Sequence, residues 1–169
     1  MNESDNNKPL VALGITGCIG AYKSAELLRR LQDRGLEVQP VMTASAQQFI
    51  TPLTLSTLAQ RPAITSMWDR GGDWDVKHIS ISDECAALLV APATANIIAK
   101  FANGIADDFL STLYLANEQP VVVAPAMNAK MWRHPATREN IAKLVDRGVE
   151  IVAPGSGYPA FLTDFGKVG

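Results

Sequence analysis

An asparagine directly after a hydrophobic run is the first feature of the chain that suggests chemistry. The stretch PVVVAPAMNAKMW, residues 120–132, carries it as Asn128. Its amide can donate and accept hydrogen bonds together, which suits binding of a carboxylate or a flavin edge. Met127, Met131 and Trp132 would surround it with apolar, polarisable surface, where a buried carboxylate is costly. A helix cap beside ordinary core methionines accounts for the same residues equally well.

A glycine-rich loop is a second candidate. The stretch GITGCIGAYKS, residues 14–24, has the spacing G-x-x-G-x-x-G, and the helix after it would present its N-terminus to an anion. A nicotinamide dinucleotide site would have the spacing G-x-G-x-x-G and an acidic residue after the second strand. Thr43 and Ser45 stand there instead, and hydroxyls either contact a phosphate or cap a helix. The pattern favours a mononucleotide such as FMN over NAD, although a plain strand-to-helix turn has the same composition.

The stretch APATAN, residues 91–96, adds a third loop of small and polar residues, with Thr94 and Asn96 at a predicted helix start. A single loop of this kind is weak evidence for a ligand. Three loops at one edge of a sheet indicate a bound cofactor.

The two histidines are weaker evidence for a functional site. His78 begins a segment in which isoleucine and serine alternate, so we expect it to lie at the start of a half-buried segment near the strand ends. A surface or capping role explains a lone histidine as simply. His134 precedes a proline at a predicted helix start and looks structural. With Cys18 and Cys85 far apart as well, the sequence predicts no metal site and shows no legible Ser-His-Asp arrangement.

A parallel sheet is the scaffold that would bring these loops together. Apolar runs predict six strands: Leu10–Thr16, Glu37–Met42, Ala63–Ser66, Ala87–Ala91, Val121–Ala124 and Glu150–Ala153. Helical patterns lie at 21–35, 94–104, 107–117 and 134–148. The alternation predicts an α/β fold, a Rossmann-like three-layer sandwich with a six-stranded parallel sheet. Ligands bind beyond the carboxyl ends of such strands, where the candidate loops fall.

Composition restricts the class of protein. The 169 residues are 47% hydrophobic and 19% charged, which predicts one soluble globular domain. The net charge of −2 gives no reason to expect nucleic acid or an anionic membrane as a partner, and no apolar run is long enough for a membrane span. The polar N-terminal residues do not resemble a signal peptide, so we expect a cytoplasmic protein.

Taken together, these motifs resemble the flavin-dependent cysteine decarboxylases. APAMNAKMW matches the family motif P-x-M-N-x-x-M-W in full, from Pro125 to Trp132. APATAN is similar to the family segment P-A-S-A-N-T, with Thr94 where serine is usual. GITGCIGAYKS and KHISISD resemble the first flavin loop and the histidine segment, and the resemblance spans roughly residues 9–157.

The resemblance implies FMN as the cofactor, bound between subunits of a homotrimer or of a dodecamer built from trimers. The implied FMN contacts are Gly17, Cys18, Ile19, Thr43, Ser45, Thr94, Ala95, Asn96 and Ala126. The implied catalytic residues are His78, Asn128, which would hold the substrate carboxylate, and Met131. The implied substrate contacts are Asn128, Tyr158 and Ala160.

The implied activity is that of an FMN-dependent carboxy-lyase that converts phosphopantothenoylcysteine to phosphopantetheine in coenzyme A biosynthesis. In this reaction the cysteinyl side chain is oxidised to a thioaldehyde, which accepts the electron pair released with carbon dioxide. The resulting enethiol is then reduced. Many bacterial relatives carry a fused synthetase, so a fused or separate phosphopantothenoylcysteine synthetase is the implied partner.

The resemblance divides the chain into a disordered tail at 1–8, a flavoprotein domain at 9–154 and a divergent substrate-clamp tail at 155–169. The family clamp reads G-x-L-A-C-G-x-x-G-x-G, whereas this chain has Phe161 in place of the cysteine. That cysteine is the expected proton donor of the reductive step, and phenylalanine carries no exchangeable proton. Natural divergence, an altered tail and a different donor are all consistent with the sequence.

Three alternative functions remain. A decarboxylase of peptidyl C-terminal cysteine shares the fold, the cofactor, the histidine and much of the asparagine motif. A flavin prenyltransferase of related fold lacks the P-x-M-N-x-x-M-W motif and ranks lower. An inactive FMN-binding regulatory subunit would account for the missing cysteine.

Overall fold

Five parallel strands form the centre of the protein in the computed structural model, which describes residues 8–68 and 77–152, with Lys77 and His78 described by their backbone alone. The strands are β1 Leu10–Ile15, β2 Glu37–Met42, β3 Cys85–Ala93, β4 Val121–Pro125 and β5 Glu150–Ile151. They lie in the order β2-β1-β3-β4-β5, and every neighbouring pair is parallel. The α/β class with a parallel sheet is therefore confirmed.

Helices connect the strands. They are α1 Ser24–Gln32, α2 Pro52–Ala59, α3 Lys77–Glu84, α4 Ala95–Asn103, α5 Phe109–Ala116, α6 Ala129–Arg133 and α7 Pro135–Asp146, with short 3-10 helices at Ile19–Lys23 and Ala46–Gln48. The four predicted helical patterns are confirmed as α1, α4, α5 and α7. None of the described helices is long and apolar enough to cross a membrane.

Two apolar clusters lie on opposite faces of the sheet and make the three layers. On one face Leu13 and Ile15 pack with helices α1 and α2. On the other, Val90 and Val123 pack with α4, α5 and α7, and Phe101 and Leu110 are almost fully buried there. Burial of such side chains contributes about 2 kcal/mol each, so the two clusters hold the strands and helices together.

Local signals in the sequence set where the helices begin and end. Thr94 caps α4 by accepting a hydrogen bond from the N–H of Ile97, and Gly104 follows the helix with φ +68°. Pro135 takes the first position of α7, and Gly148 follows that helix with φ +85°. These are the usual positions of Thr, Pro and Gly at helix ends.

The predicted strand Ala63–Ser66 is wrong, so the sheet has five strands among the described residues and not the six that were predicted. In Ala63–Ser66 only Ile64 pairs with the sheet, as an isolated parallel bridge to Val41 beside β2. Pro62, on its N-terminal side, has no N–H with which to extend the ladder. The side-chain amide of Gln39 donates to the Pro62 carbonyl oxygen instead (2.8 Å).

The segment with alternating isoleucine and serine is helical, not extended. It forms α3, in which Ile79 is half exposed and Ser82 is buried. On a helix, residues two positions apart point in nearly opposite directions, so Ile81 packs against the core cluster while Ile79 is half exposed.

Candidate functional site

The carboxyl ends of β1 and β3 open a crevice in the sheet. Because β1 lies between β2 and β3, the chain leaves β1 toward α1 on one face and leaves β3 toward α4 on the other. This point, where the connections diverge, is the usual ligand site of an open parallel sheet. The three loops singled out in the sequence follow β1, β2 and β3 and meet there. We call residues 16–20, 43–46, 91–96 and 124–128 the carboxyl rim.

Direct contacts join the first three loops of the rim. Gly17 lies so close to Ser45 that a Cβ on Gly17 would overlap the Cβ of Ser45. The Thr16 hydroxyl donates to the carbonyl oxygen of Pro92 (2.6 Å) and accepts from the backbone N–H of Thr94 (3.0 Å). The loop after β1 is therefore in direct contact with the loops after β2 and β3.

Two further hydrogen bonds extend the rim. The backbone N–H of Ala126 donates to the carbonyl oxygen of Ala93 (2.9 Å), which links the loop after β4 to the loop after β3. The hydroxyl of Ser24, at the start of α1, donates to the carbonyl oxygen of Ala91 (3.0 Å). Four strand ends thus form one surface, and the nine sequence-predicted cofactor contacts all lie on it.

Two of the predicted hydroxyls also cap helices. Thr94 Oγ1 accepts from the N–H of Ile97 (3.3 Å), and Thr43 Oγ1 accepts from the N–H of Ala46 (3.2 Å). The capping interpretation therefore holds for both. A capping oxygen uses one lone pair, so each hydroxyl hydrogen remains able to donate to a ligand.

The chemistry of the rim fits a flavin mononucleotide. The N-terminus of α4 leaves its first N–H groups without intrahelical partners, and these groups favour an anion such as phosphate. None of the nine predicted contacts carries a carboxylate that would repel it. Small residues at Gly17, Ala95 and Ala126 let a ligand approach the backbone.

Asn128 both caps a helix and presents a free amide group. Its Oδ1 accepts from the N–H of Lys130 (2.7 Å), so it begins α6. Its side chain is exposed, and within the described residues no hydrogen bond involves its Nδ2 group. The amide hydrogens are therefore available to donate to a ligand oxygen.

The apolar side chains around Asn128 divide into core and surface. Met127 is buried in the cluster beneath α4, α5 and α7, and Trp132 packs against the same cluster. The Arg138 guanidinium lies over the Trp132 ring, 5.4 Å from its centroid. Met131 is 49% exposed, so it is the side chain of this group that is most open to a ligand.

Several sequence predictions lie beyond what the structure describes. The backbone of His78 lies in α3, but its side chain is outside the described part of the chain. Tyr158, Ala160 and Phe161 lie outside the described residues as well. Their roles stay predictions.

Cys18 sits within the rim as a neutral thiol. Burial raises its pKa from the ordinary value of 9.0, against the opposing effect of backbone hydrogen bonds from Gly20 and Ala21. An uncharged sulfur does not repel an anionic ligand. Within residues 8–68 and 77–152, no group of three His, Cys, Asp or Glu side chains could hold a metal ion.

Sequence reasoning missed the two hydroxyls that join the loops. Thr16 was expected to be the last residue of the first strand, and Ser24 received no role. Both flank the glycine loop, and a hydroxyl at each end of a tight loop is the signal that could have identified them.

A cleft of about 510 Å³ lies at the opposite, amino edge of the sheet, lined by residues 114–115, 117–121 and 147–149. Helices α5 and α7 end there, so their carbonyl ends face this region. The Arg147 guanidinium donates to the carbonyl oxygens of Phe101 (3.3 Å) and Ala102 (2.9 Å) in the last turn of α4. The cleft is roomy, but its helix ends do not favour an anion.

Comparison with known proteins places these features in a family. The model of the family described as Flavoprotein matches residues 1–168. The coenzyme A biosynthesis bifunctional protein CoaBC of Vibrio vulnificus is 49% identical over 150 residues, which cover 89% of this chain and 37% of that protein. The chain therefore spans well under half the length of this curated relative.

Solved structures of flavin-dependent decarboxylases share the fold of this chain. The FMN-dependent cysteine decarboxylase SpaF matches with a TM-score of 0.81 and 33% identity, over 86% of this chain and 84% of its own. A cysteine-to-serine mutant of PPC decarboxylase, complexed with pantothenoylaminoethenethiol, matches with a TM-score of 0.74 and 30% identity, over 86% and 81%. The resemblance stated from the sequence is confirmed, and the expected cofactor and reaction are those named for these relatives.

Proposed function

Because the chain belongs to the flavoprotein family, we propose that it binds FMN at the carboxyl rim and decarboxylates phosphopantothenoylcysteine. The observation that carries this proposal is that contacts join the ends of four strands into the carboxyl rim. Asn128 lies two residues beyond Ala126, whose backbone N–H makes the last of these contacts. An anion site and a carboxylate-binding amide then lie on one surface.

The residues of the chain have distinct tasks in this reaction. FMN, when bound, supplies the two-electron oxidation of the thiol side chain that makes loss of carbon dioxide feasible. The N-terminus of α4 and the Thr94 hydroxyl hold the cofactor phosphate. The Asn128 amide donates to the substrate carboxylate and orients it, and Met131 covers it with apolar surface, which disfavours the charge that decarboxylation removes. His78 is the third catalytic residue of this proposal, which for this position rests on the resemblance of the segment KHISISD alone.

A product analysis tests the proposal. The purified protein should show a flavin absorption spectrum and should release carbon dioxide from phosphopantothenoylcysteine. Mass spectrometry then distinguishes phosphopantetheine from a product lighter by two hydrogens. The lighter product is expected if Phe161 leaves the reductive step without its proton donor. Protein that takes up no FMN, or that leaves the substrate unchanged, would sink the proposal.

The assembly is part of the same proposal. Ile19, Phe49 and Leu53 are large apolar side chains that follow the carboxyl ends of β1 and β2, and Leu53 is 75% exposed. We expect a homotrimer, or a dodecamer of trimers, to cover them, in a cytoplasmic enzyme with a fused or separate synthetase partner. Light scattering of the purified chain measures its oligomeric state, and a monomer would contradict the expected trimer.

Decarboxylation of a peptide's C-terminal cysteine is the second candidate. The observation that favours it is the higher TM-score of the structure named only as an FMN-dependent cysteine decarboxylase, a name that leaves open what carries the cysteine. Parallel assays with phosphopantothenoylcysteine and a cysteine-ended peptide decide between the two substrates.

A further inference from the structure

A single buried threonine connects two loops of the proposed FMN site. We infer that Thr16 is a positioning residue for the cofactor, although it is not among the expected contacts. Its hydroxyl fixes the backbone of residues 92–94 so that the first turn of α4 faces the phosphate. The inference rests on the proposed binding of FMN at the carboxyl rim.

The position of the hydroxyl supports this role. Thr16 is 2% exposed, so its polar atom has no access to bulk water. It donates to Pro92 and accepts from Thr94, residues 76 and 78 positions away, and both partners are backbone groups. One side chain therefore satisfies a buried acceptor and a half-buried donor on either side of Ala93.

The backbone at that place cannot hold itself through regular pairing. The register between β3 and β4 shifts between Val90 and Ala93, and Pro92 has no N–H to contribute. Ser24 takes the carbonyl oxygen of Ala91 and Thr16 takes that of Pro92, so two hydroxyls from the first crossover replace the missing ladder.

Removal of the Thr16 hydroxyl has a specific consequence. It leaves the buried Pro92 carbonyl and the half-buried Thr94 N–H without their partner, and the loop must move to find others. Thr94 is the cap of α4, so the movement shifts the cap, Ala95 and Asn96 together. Affinity for the phosphate then falls even though no contact residue has changed.

Three variants of the purified holoprotein test this inference. Thr16→Val keeps the shape and loses the hydroxyl, whereas Thr16→Ser keeps the hydroxyl. Ser82→Ala is the matched control, because buried Ser82 donates to the carbonyl oxygen of Ala116 (2.8 Å) at the amino edge. A dilution series with flavin fluorescence gives the Kd for FMN, and urea unfolding at several FMN concentrations, extrapolated to zero FMN, gives the stability without the contribution of the ligand.

Thr16→Val should raise the Kd at least about tenfold, and Thr16→Ser should stay within about 1.5-fold of the wild type. Ser82→Ala should lower stability and leave the Kd unchanged. A wild-type Kd in Thr16→Val overturns the inference. So does a rise in Kd for Ser82→Ala in proportion to its lost stability, because the effect would then be general destabilisation.

Two remaining outcomes are also decisive. If Thr16→Val does not fold, Ser24→Ala removes the neighbouring hydroxyl bond and should raise the Kd about threefold. An unchanged Kd there overturns the inference. Wild-type protein that binds no FMN defeats the proposed function, whereas FMN binding that is insensitive to both hydroxyls defeats only the positioning role.

Discussion

At the carboxyl rim the amides of Asn96 and Asn128 are exposed, whereas at the amino edge the last carbonyls of α4 are satisfied within the chain by Arg147. Both edges carry a buried hydroxyl that donates to a distant carbonyl oxygen, Thr16 in one case and Ser82 in the other. The edges differ in which helix ends they present. The rim presents the N-terminus of α4, and the amino edge presents the C-termini of α5 and α7.

This difference shows that cleft size is a poor guide to function here. The amino-edge cleft of about 510 Å³ has ample room for a small molecule, but helix C-termini carry partial negative charge. The rim offers donors and no carboxylate among its predicted contacts, which is the chemistry that an anionic cofactor needs. If matched substitutions at the carboxyl rim and at the amino edge had equal effects on FMN binding or activity, this distinction between the two edges would be wrong.

The largest effect is expected at Asn128. Asn128→Asp replaces an amide that donates to the substrate carboxylate with a second carboxylate, so carbon dioxide release should fall at least about 100-fold. The control is Asn117→Asp at the amino edge, where the wild-type amide donates to the carbonyl oxygen of Gln119. We expect that control to stay within about twofold of the wild-type rate. Full activity of Asn128→Asp would remove Asn128 from the site.

A smaller effect is expected from alanine at two glycines. Gly17→Ala forces the loops after β1 and β2 apart, because the new Cβ overlaps that of Ser45, so the Kd for FMN should rise about tenfold. Gly148→Ala at the amino edge meets no atom within 4 Å but adopts φ +85°, so it should cost about 1 kcal/mol of stability and leave the Kd unchanged.

Equal Kd values for the two alanine variants would mean that the rim is not where FMN binds. Flavin fluorescence on dilution measures the Kd for both variants.

The smallest effect is expected in the two cysteines. Cys18 is half-buried in the rim with a raised pKa, and burial raises the pKa of Cys85, at the amino edge, to about 11. Because the thiolate reacts, alkylation of Cys18 by iodoacetamide should be slow at neutral pH and still rising above pH 9, and Cys85 should react later. Saturating FMN should slow Cys18 about fivefold and leave Cys85 unchanged. Peptide mass spectrometry that finds equal protection of both would contradict the assignment.

The sequence predicted the scaffold well because its strands and caps are local signals. Glu37–Met42 was predicted with its observed bounds, and Thr94, Pro135 and Gly148 marked helix ends that the structure contains. The predicted strand Ala63–Ser66 failed because β-pairing depends on a partner, and Pro62 prevents the ladder from extending on the N-terminal side of Ile64.

The sequence predicted which loops form the site but not the buried hydroxyls that hold these loops together. The rim loops were found because glycines, small residues and amides after strands are visible in one dimension. Thr16 and Ser24 were missed because their partners lie 76 and 67 residues away, and no local pattern reports such a distance. The burial of Met127 followed from the packing of three helices, which the eight-residue motif from Pro125 to Trp132 does not encode.

The strand order has a consequence for how the molecule forms. Leu10 of β1 pairs with Glu37 on one side and with Cys85 on the other, so this interior strand is synthesised before β2 and β3 and gains its second partner late. Until β3 leaves the ribosome, one side of β1 remains an open template for incorrect pairing. Folding should therefore be slow, as it is for sheets built from contacts distant in sequence, and the interval before β3 emerges is when the nascent chain is most vulnerable to aggregation.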